Sequence, residues 1–383
     1  MLFLMNRDEI IAVFEKKDSS YLLLGNKKEG MPIGFQTLEN WLKRRNSASH
    51  NGYLYSLLEK CGCNNENEFL SLTHAASLND TFWVSNGTEL LGWDDVSPYR
   101  NSFSEPVSKL AFEGTGDFEE AVIISDSKDC FPDLSTEGSF RKCWKREGGE
   151  IFLYKQGESG ARNVGLEPYS EVLAAELAQK ICRNAVSYEL AELYGKTASK
   201  CRLFTSEQYG YAPMFRFYPD GASVEELIRF YHHIGSEDAF RRMLVLDALT
   251  FQLDRHMGNY GVLVDNASQK ILGMAPVFDL NLACLPYVEQ EEFSVIGRKL
   301  SDYGPRIGDD FLRVGQEAMT PAIRADLAAL TGFEFTFRGD ERFSPERVKW
   351  LEQMINRQLH GLLSQKVLYT KDIFMPESFY YNV

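Results

Sequence analysis

The run Gln252-Leu253-Asp254-Arg255-His256-Met257-Gly258-Asn259-Tyr260-Gly261 constrains this chain more than any other stretch. Asp254 and Asn259 stand five positions apart, and Asp279 follows twenty positions after Asn259. Between Asn259 and Asp279, the apolar runs 260–264 and 270–277 flank the polar turn Asp265-Asn266-Ala267-Ser268. That pattern predicts a β-hairpin carrying the chain from Asn259 to Asp279. Upstream, residues 237–253 have helical spacing, with Phe240, Met243, Leu244, Asp247 and Phe251 on one stripe. Asp247 is therefore an acid on an apolar face. A buried Asp needs partners, and Arg255 or His256 is expected to supply them.

The rest of the chain reads as α+β. Residues 1–30 hold short apolar runs broken by Lys16-Lys17-Asp18, a strand hairpin. Helical spacing follows at 35–45 and 53–61. Phe82-Trp83-Val84 and Leu90-Leu91 bracket Ser85-Asn86-Gly87 as a second hairpin. Strands are expected at 140–145 and 151–155, then a Gly-rich loop at 157–168, a helix at 169–183, and strands at 186–193 and 198–205. After Gly210 the pattern is mainly helical, with helices at 224–232, 309–318, 321–330 and 344–363. Three regions result: an N-terminal α+β region of unassigned role at 1–115, a β-rich part at 116–206, and a helical part at 207–383.

The net charge of −14 and pI near 5.1 repel nucleic acid unless a local basic patch overrides them. Lys43-Arg44-Arg45 and the stretch Arg141–Arg146 are too short to do so. The seven cysteines are an odd number without a CxxC pair. Cys61-x-Cys63 near His74 lacks a fourth metal ligand. The start carries no basic segment before an apolar core, and no apolar run reaches membrane-span length. A cytoplasmic protein with reduced thiols is expected.

Asp-x4-Asn is the spacing of a protein-kinase catalytic loop, and Asp279 stands where a kinase places its second metal ligand. Phosphoryl transfer needs charge around the γ-phosphate, metal ions held in place and an oriented nucleophile. Asp254 is the expected base or hydroxyl-orienting group, with Asn259 and Asp279 as Mg²⁺ ligands. Lys155, ending the strand Ile-Phe-Leu-Tyr-Lys, is placed to reach the α- and β-phosphates. Glu171 is its expected partner, because it shares a helix face with the small residues Ala174, Ala175 and Ala178. The turn at Gly138 and Ser139 is expected to cover the phosphates with backbone N–H groups. No GxxxxGK[ST] run is present, which argues against a P-loop enzyme.

Asp254-Arg255-His256-x-x-Asn259 followed by Ala275-Pro276-Val277-Phe278-Asp279 resembles the HipA-like serine/threonine kinases, including the stand-alone CtkA type. Ser170-Glu171-Val172 resembles that family's Asn-Glu-Tyr helix. The resemblance covers roughly residues 135–365. It implies a protein-kinase-like bilobal fold, with a β-rich small lobe and a helical large lobe. It implies ATP and Mg²⁺ as cofactors and a protein Ser or Thr as acceptor. It makes Leu203, Phe204, Thr205 and Ser206 the hinge that binds adenine. Some members are toxins held by an antitoxin and silenced by phosphorylation of a loop serine; Ser139 is the matching residue here, with Ser135 and Thr136 as competitors. Other readings are a kinase-fold enzyme acting on a small molecule or transferring AMP, and a non-catalytic nucleotide-binding regulator.

Overall fold

Eleven β-strands and a set of mostly short helices make up the described part of the computed structural model, which covers residues 1–18, 20–45, 66–88, 90–114, 129–136, 138, 140–158, 165–296, 300, 304–370 and 372. The chain packs as two units. One comprises Met1–Gln156, Glu192–Ala212 and Val262–Leu272; the other comprises Gly157–Ala191, Pro213–Gly261 and Gly273–Val383.

The first unit begins with β1 (Leu2–Asn6), β2 (Glu9–Lys17) and β3 (Ser20–Asn26), joined later by β4 (Phe82–Ser85). Their order is β3-β2-β1-β4. Leu4 sits opposite both Ala12 and Val84 in antiparallel register. Alternation along these strands puts Leu4, Phe14, Phe82 and Val84 on one face, where Leu38, Trp41 and Leu42 of the helix Leu38–Arg45 pack. The expected hairpin from 82–84 to 90–91 does not form. β4 pairs with β1 instead, and Leu90 is exposed. Pairing with β1 buries Phe82, Trp83 and Val84 in a core, which a local turn to Leu90 does not offer. The helix expected at 53–61 lies outside the described residues.

A second sheet has the order β5-β6-β8-β7, from β5 (Lys142–Glu147), β6 (Glu150–Gln156), β7 (Tyr188–Leu193) and β8 (Lys196–Arg202). β6 is an interior strand, antiparallel to β5 and β8. Asp133 ties this sheet to its surroundings: its carboxylate accepts from the Trp144 N–H at 2.8 Å and from the Ser108 hydroxyl at 2.8 Å. A three-stranded sheet, β11-β10-β9, uses β9 (Tyr209–Pro213), β10 (Gly261–Asp265) and β11 (Ile271–Met274). β10 and β11 are the hairpin expected between Asn259 and Asp279.

The second unit is built on helices. Glu167–Ile181 is buried on almost every side, including Glu171, Ala174, Ala175 and Ala178. Val224–His233 starts with a capping box between Ser223 and Glu226. Asp310, Thr320 and Ser344 cap the helices Phe311–Ala318, Pro321–Ala328 and Pro345–Leu363. The helix Glu237–Thr250 is shorter than its apolar stripe. Phe251 takes a left-handed φ of 52°, its N–H bonding the Asp247 carbonyl, and turns the chain into the polar loop.

Candidate active site

The loop after Phe251 is held by buried polar side chains. Arg255 Nε and Nη2 each donate to the Asp247 carboxylate at 3.0 Å. Its Nη1 donates to the carbonyls of Asn259 (3.1 Å) and Phe278 (2.7 Å). One guanidinium thus joins the helix, the loop and the residue before Asp279. Both partners are buried, which raises the Asp247 carboxyl while Arg255 pulls it back. The expected brace from Asp247 is present, and Arg255 is its partner.

Asn259 Nδ2 donates to the Asp254 carbonyl at 2.9 Å, so the acceptor atom of its side chain is the amide oxygen, the atom that the expected role as a cation ligand would use. Gln252 accepts from the Asp254 N–H at 3.0 Å and donates to the Asp279 carbonyl at 2.9 Å. Asp279 itself has φ of 56°. Its N–H donates to the Tyr188 hydroxyl at 3.2 Å, and the following Leu280 N–H donates to Glu171 Oε1 at 3.2 Å. Asp254, Asn259 and Asp279 therefore belong to one hydrogen-bonded frame. Glu171 joins that frame through Leu280, a role its helix face did not announce.

The Asp254 carboxyl is raised, first by burial and also by repulsion from Asp279; His256, Arg306 and Arg255 oppose the rise. His256 Nε2 lies 4.0 Å from Asp254 Oδ2, and Arg306 Nη2 lies 3.8 Å from Oδ1. The Gly258 N–H donates to His256 Nδ1 at 3.0 Å. A side chain at Gly258 would meet the imidazole at 2.7 Å, so glycine lets the ring sit against the loop. Glu167 ties the ends of the Gly-rich loop, accepting from the N–H groups of Glu158 (3.3 Å) and Gly165 (2.9 Å). Gly157 approaches Gly165 so closely that a Cβ would strike its backbone.

The remaining expected residues lie in the other unit. Lys155 is buried in the interior strand β6, opposite Lys142 and Ser199. Gly138 has φ of 107° and lies against Lys142. Ser139 and residues 159–164 lie outside the described residues. Ser135 is buried and donates to the Pro132 carbonyl; Thr136 donates to the same carbonyl and accepts from Trp144 Nε1. In the segment expected to be the hinge, the Leu203 N–H bonds Ile151 O at 2.8 Å and the Ser206 N–H bonds Tyr209 O at 2.9 Å. Thr205 donates to the Leu78 carbonyl, and Phe204 packs edge-on against Tyr211. Glu207, next in line, accepts from Trp93 Nε1 and Arg100 Nε. The N-terminal region therefore braces the segment from Leu203 to Glu207.

Sequence reasoning missed Gln252, Tyr188 and Glu167. Gln252 borders the Asp-Arg-His run, but its role depends on a carbonyl 27 residues away. Among the described residues no group of three or more His, Cys, Asp or Glu could hold a metal ion unaided.

The backbone is similar in fold to a HipA protein. It superposes on the HipA toxin of Shewanella oneidensis MR-1, solved as a complex with HipB and operator DNA, with a TM-score of 0.54 at 14% identity, covering 98% of this chain and 100% of that one. The proinflammatory kinase CtkA of Helicobacter pylori aligns over 58% of this chain and 92% of its own, with a TM-score of 0.42 and 16% identity. By sequence, the chain matches no protein-family model and no curated protein.

Proposed function

We propose that this protein is an ATP- and Mg²⁺-dependent HipA-like kinase that transfers the γ-phosphoryl group to a Ser or Thr hydroxyl of a protein. The observation that carries the reading is the frame that links Asp254, Asn259 and Asp279 through Arg255 and Gln252. The HipA-like fold supports it.

The residues present fit a divalent cation. Asp279 and Asn259 offer two oxygen donors, as Mg²⁺ requires when phosphates and water complete its shell. Repulsion between Asp254 and Asp279 is the kind of strain a cation relieves. Bound there, the metal would neutralise phosphate charge. Lys155, oriented by Glu171, is proposed to hold the α- and β-phosphates, with Gly138 and Ser139 covering them. Asp254 orients the acceptor hydroxyl and takes up its proton. The backbone of Leu203, Phe204, Thr205 and Ser206 is proposed to receive adenine. In this reading, residues 116–206 are the small lobe and 207–383 the large lobe of a bilobal kinase, in the cytoplasm. HipA was solved with HipB, and we extend to this chain an antitoxin-like regulator. No helix among the described residues is long and apolar enough to cross a membrane.

The test is incubation with γ-labelled and, separately, α-labelled ATP, with the chain itself and a peptide library as acceptors. Wild type is expected to transfer γ label to Ser or Thr, and Asp254→Asn is expected not to. Transfer of α label would identify AMP transfer instead. ATP binding without transfer of either label would leave a non-catalytic regulator.

A further inference from the structure

We propose that Gln252 is a positioning residue that couples the two acidic groups of this site; the proposal rests on the kinase reading above. Gln252 is 1% exposed. Its Oε1 takes the Asp254 N–H and its Nε2 gives to the Asp279 carbonyl. One planar amide therefore fixes the backbone at both acids.

Asp279 needs that support. At φ of 56° it occupies the left-handed region, which is strained for a residue with a side chain unless its surroundings hold it there. Consecutive peptide groups around it are each held from outside: Phe278 C=O by Arg255, Asp279 N–H by Tyr188, Asp279 C=O by Gln252 and Leu280 N–H by Glu171. Within this clamp, Gln252 is the member that also fixes the Asp254 N–H. The pairing needs an acceptor and a donor on one side chain. Ionised Glu supplies only the acceptor, Lys and Arg only donors, and a hydroxyl is too short to reach both. Gln252 contributes neither charge nor a metal ligand. It keeps Asp254 and Asp279, which repel each other, at a fixed spacing.

The test uses the full-length protein with Gln252→Glu and Gln252→Met. Gln252→Glu keeps the acceptor for Asp254 and loses the donor for Asp279. Gln252→Met removes both at similar volume. Amide hydrogen exchange without nucleotide reads the coupling. Gln252→Met is expected to raise exchange at both 252–259 and 278–281, and Gln252→Glu at 278–281 alone. Titration of Mn²⁺ in the presence of ATP, followed by electron paramagnetic resonance, is expected to show binding weakened about ten-fold in both variants. Should Gln252→Met unfold, the isosteric Gln252→Glu decides the matter. Exchange at 278–281 that matches wild type, or Mn²⁺ titrations that overlay it, would overturn the coupling. Failure of the wild type to bind Mn²⁺ with ATP would overturn the kinase reading instead, and the exchange data would still decide the coupling.

Discussion

The loop from Phe251 to Asn259 and the N-terminal sheet with its helix Leu38–Arg45 both bury an arginine, to different ends. In the N-terminal region Arg45 pairs with Asp80, donates to the carbonyls of Ala75 (2.9 Å) and Phe82 (3.1 Å), and stacks 4.0 Å from the Trp41 ring. Its bonds close a turn against an aromatic core that includes Phe14, Trp41 and Phe82. In the loop, Arg255 pairs with Asp247 and its remaining bonds run to Asn259 and Phe278, each one residue or less from an expected metal ligand. The first arrangement ends in packing. The second ends in oxygen-bearing side chains held at defined positions. A buried ion pair is weak grounds for stability in either place, but breaking one leaves an uncompensated charge. What separates the two regions is whether the frame leaves acids pointed at something else.

That contrast can be broken most sharply by chemistry. Asp279→Asn or Asp254→Asn is expected to lower turnover by roughly 1000-fold or more while leaving the melting temperature within a few degrees; near-normal turnover in single-turnover assays would remove the loop from the active site. Arg255→Leu comes next. It strands Asp247 and frees two carbonyls, so unfolding in urea is expected to become easier by about 3–5 kcal/mol, with activity lost in the folded fraction. Trp83→Ala is expected to lower stability by a comparable 3–5 kcal/mol through a cavity, yet leave turnover per folded molecule within a few-fold. A site-like loss of activity in Trp83→Ala would erase the distinction.

A smaller effect sharpens the same comparison through pH. Burial lifts the Asp133 carboxyl to about 6, against the pull of its bonds to Trp144 and Ser108. The unfolded chain ionises Asp133 at a lower pH than the folded one does. Stability from this group is therefore fullest below pH 4 and falls as pH rises towards 6, by at most about 3 kcal/mol. Denaturation curves at pH 4, 5, 6 and 7 should show that decline, and Asp133→Asn should flatten it. Smallest of all, Gly258→Ala is expected to displace His256 and change turnover by only several-fold, since the ring stands 4.0 Å from Asp254. A drop as large as that of Asp254→Asn would give His256 a direct role.

Much of this was legible in the chain itself. The apolar stripe of 237–251 placed Asp247 inside and named Arg255 among its partners, because helical period and a buried acid's need for a donor are local matters. The hairpin between Asn259 and Asp279 followed from strand alternation and a polar turn, and the small-residue face around Glu171 marked that helix for burial. Leu90-Leu91 misled because a short apolar run carries no information about which strand competes for its partner; β1, some eighty residues earlier, won.

The sequence by itself determined which segments became helix or strand near the site and which polar residues had to be satisfied there. Only the tertiary structure decided how they were satisfied. Gln252 reaches Asp279, Tyr188 holds its N–H across 91 residues, and Glu171 takes Leu280 across 109. Each is a single hydrogen bond between distant segments, with no periodicity to betray it. Such bonds exist because packing brings a donor and an acceptor within about 3 Å in a place at least partly shielded from water.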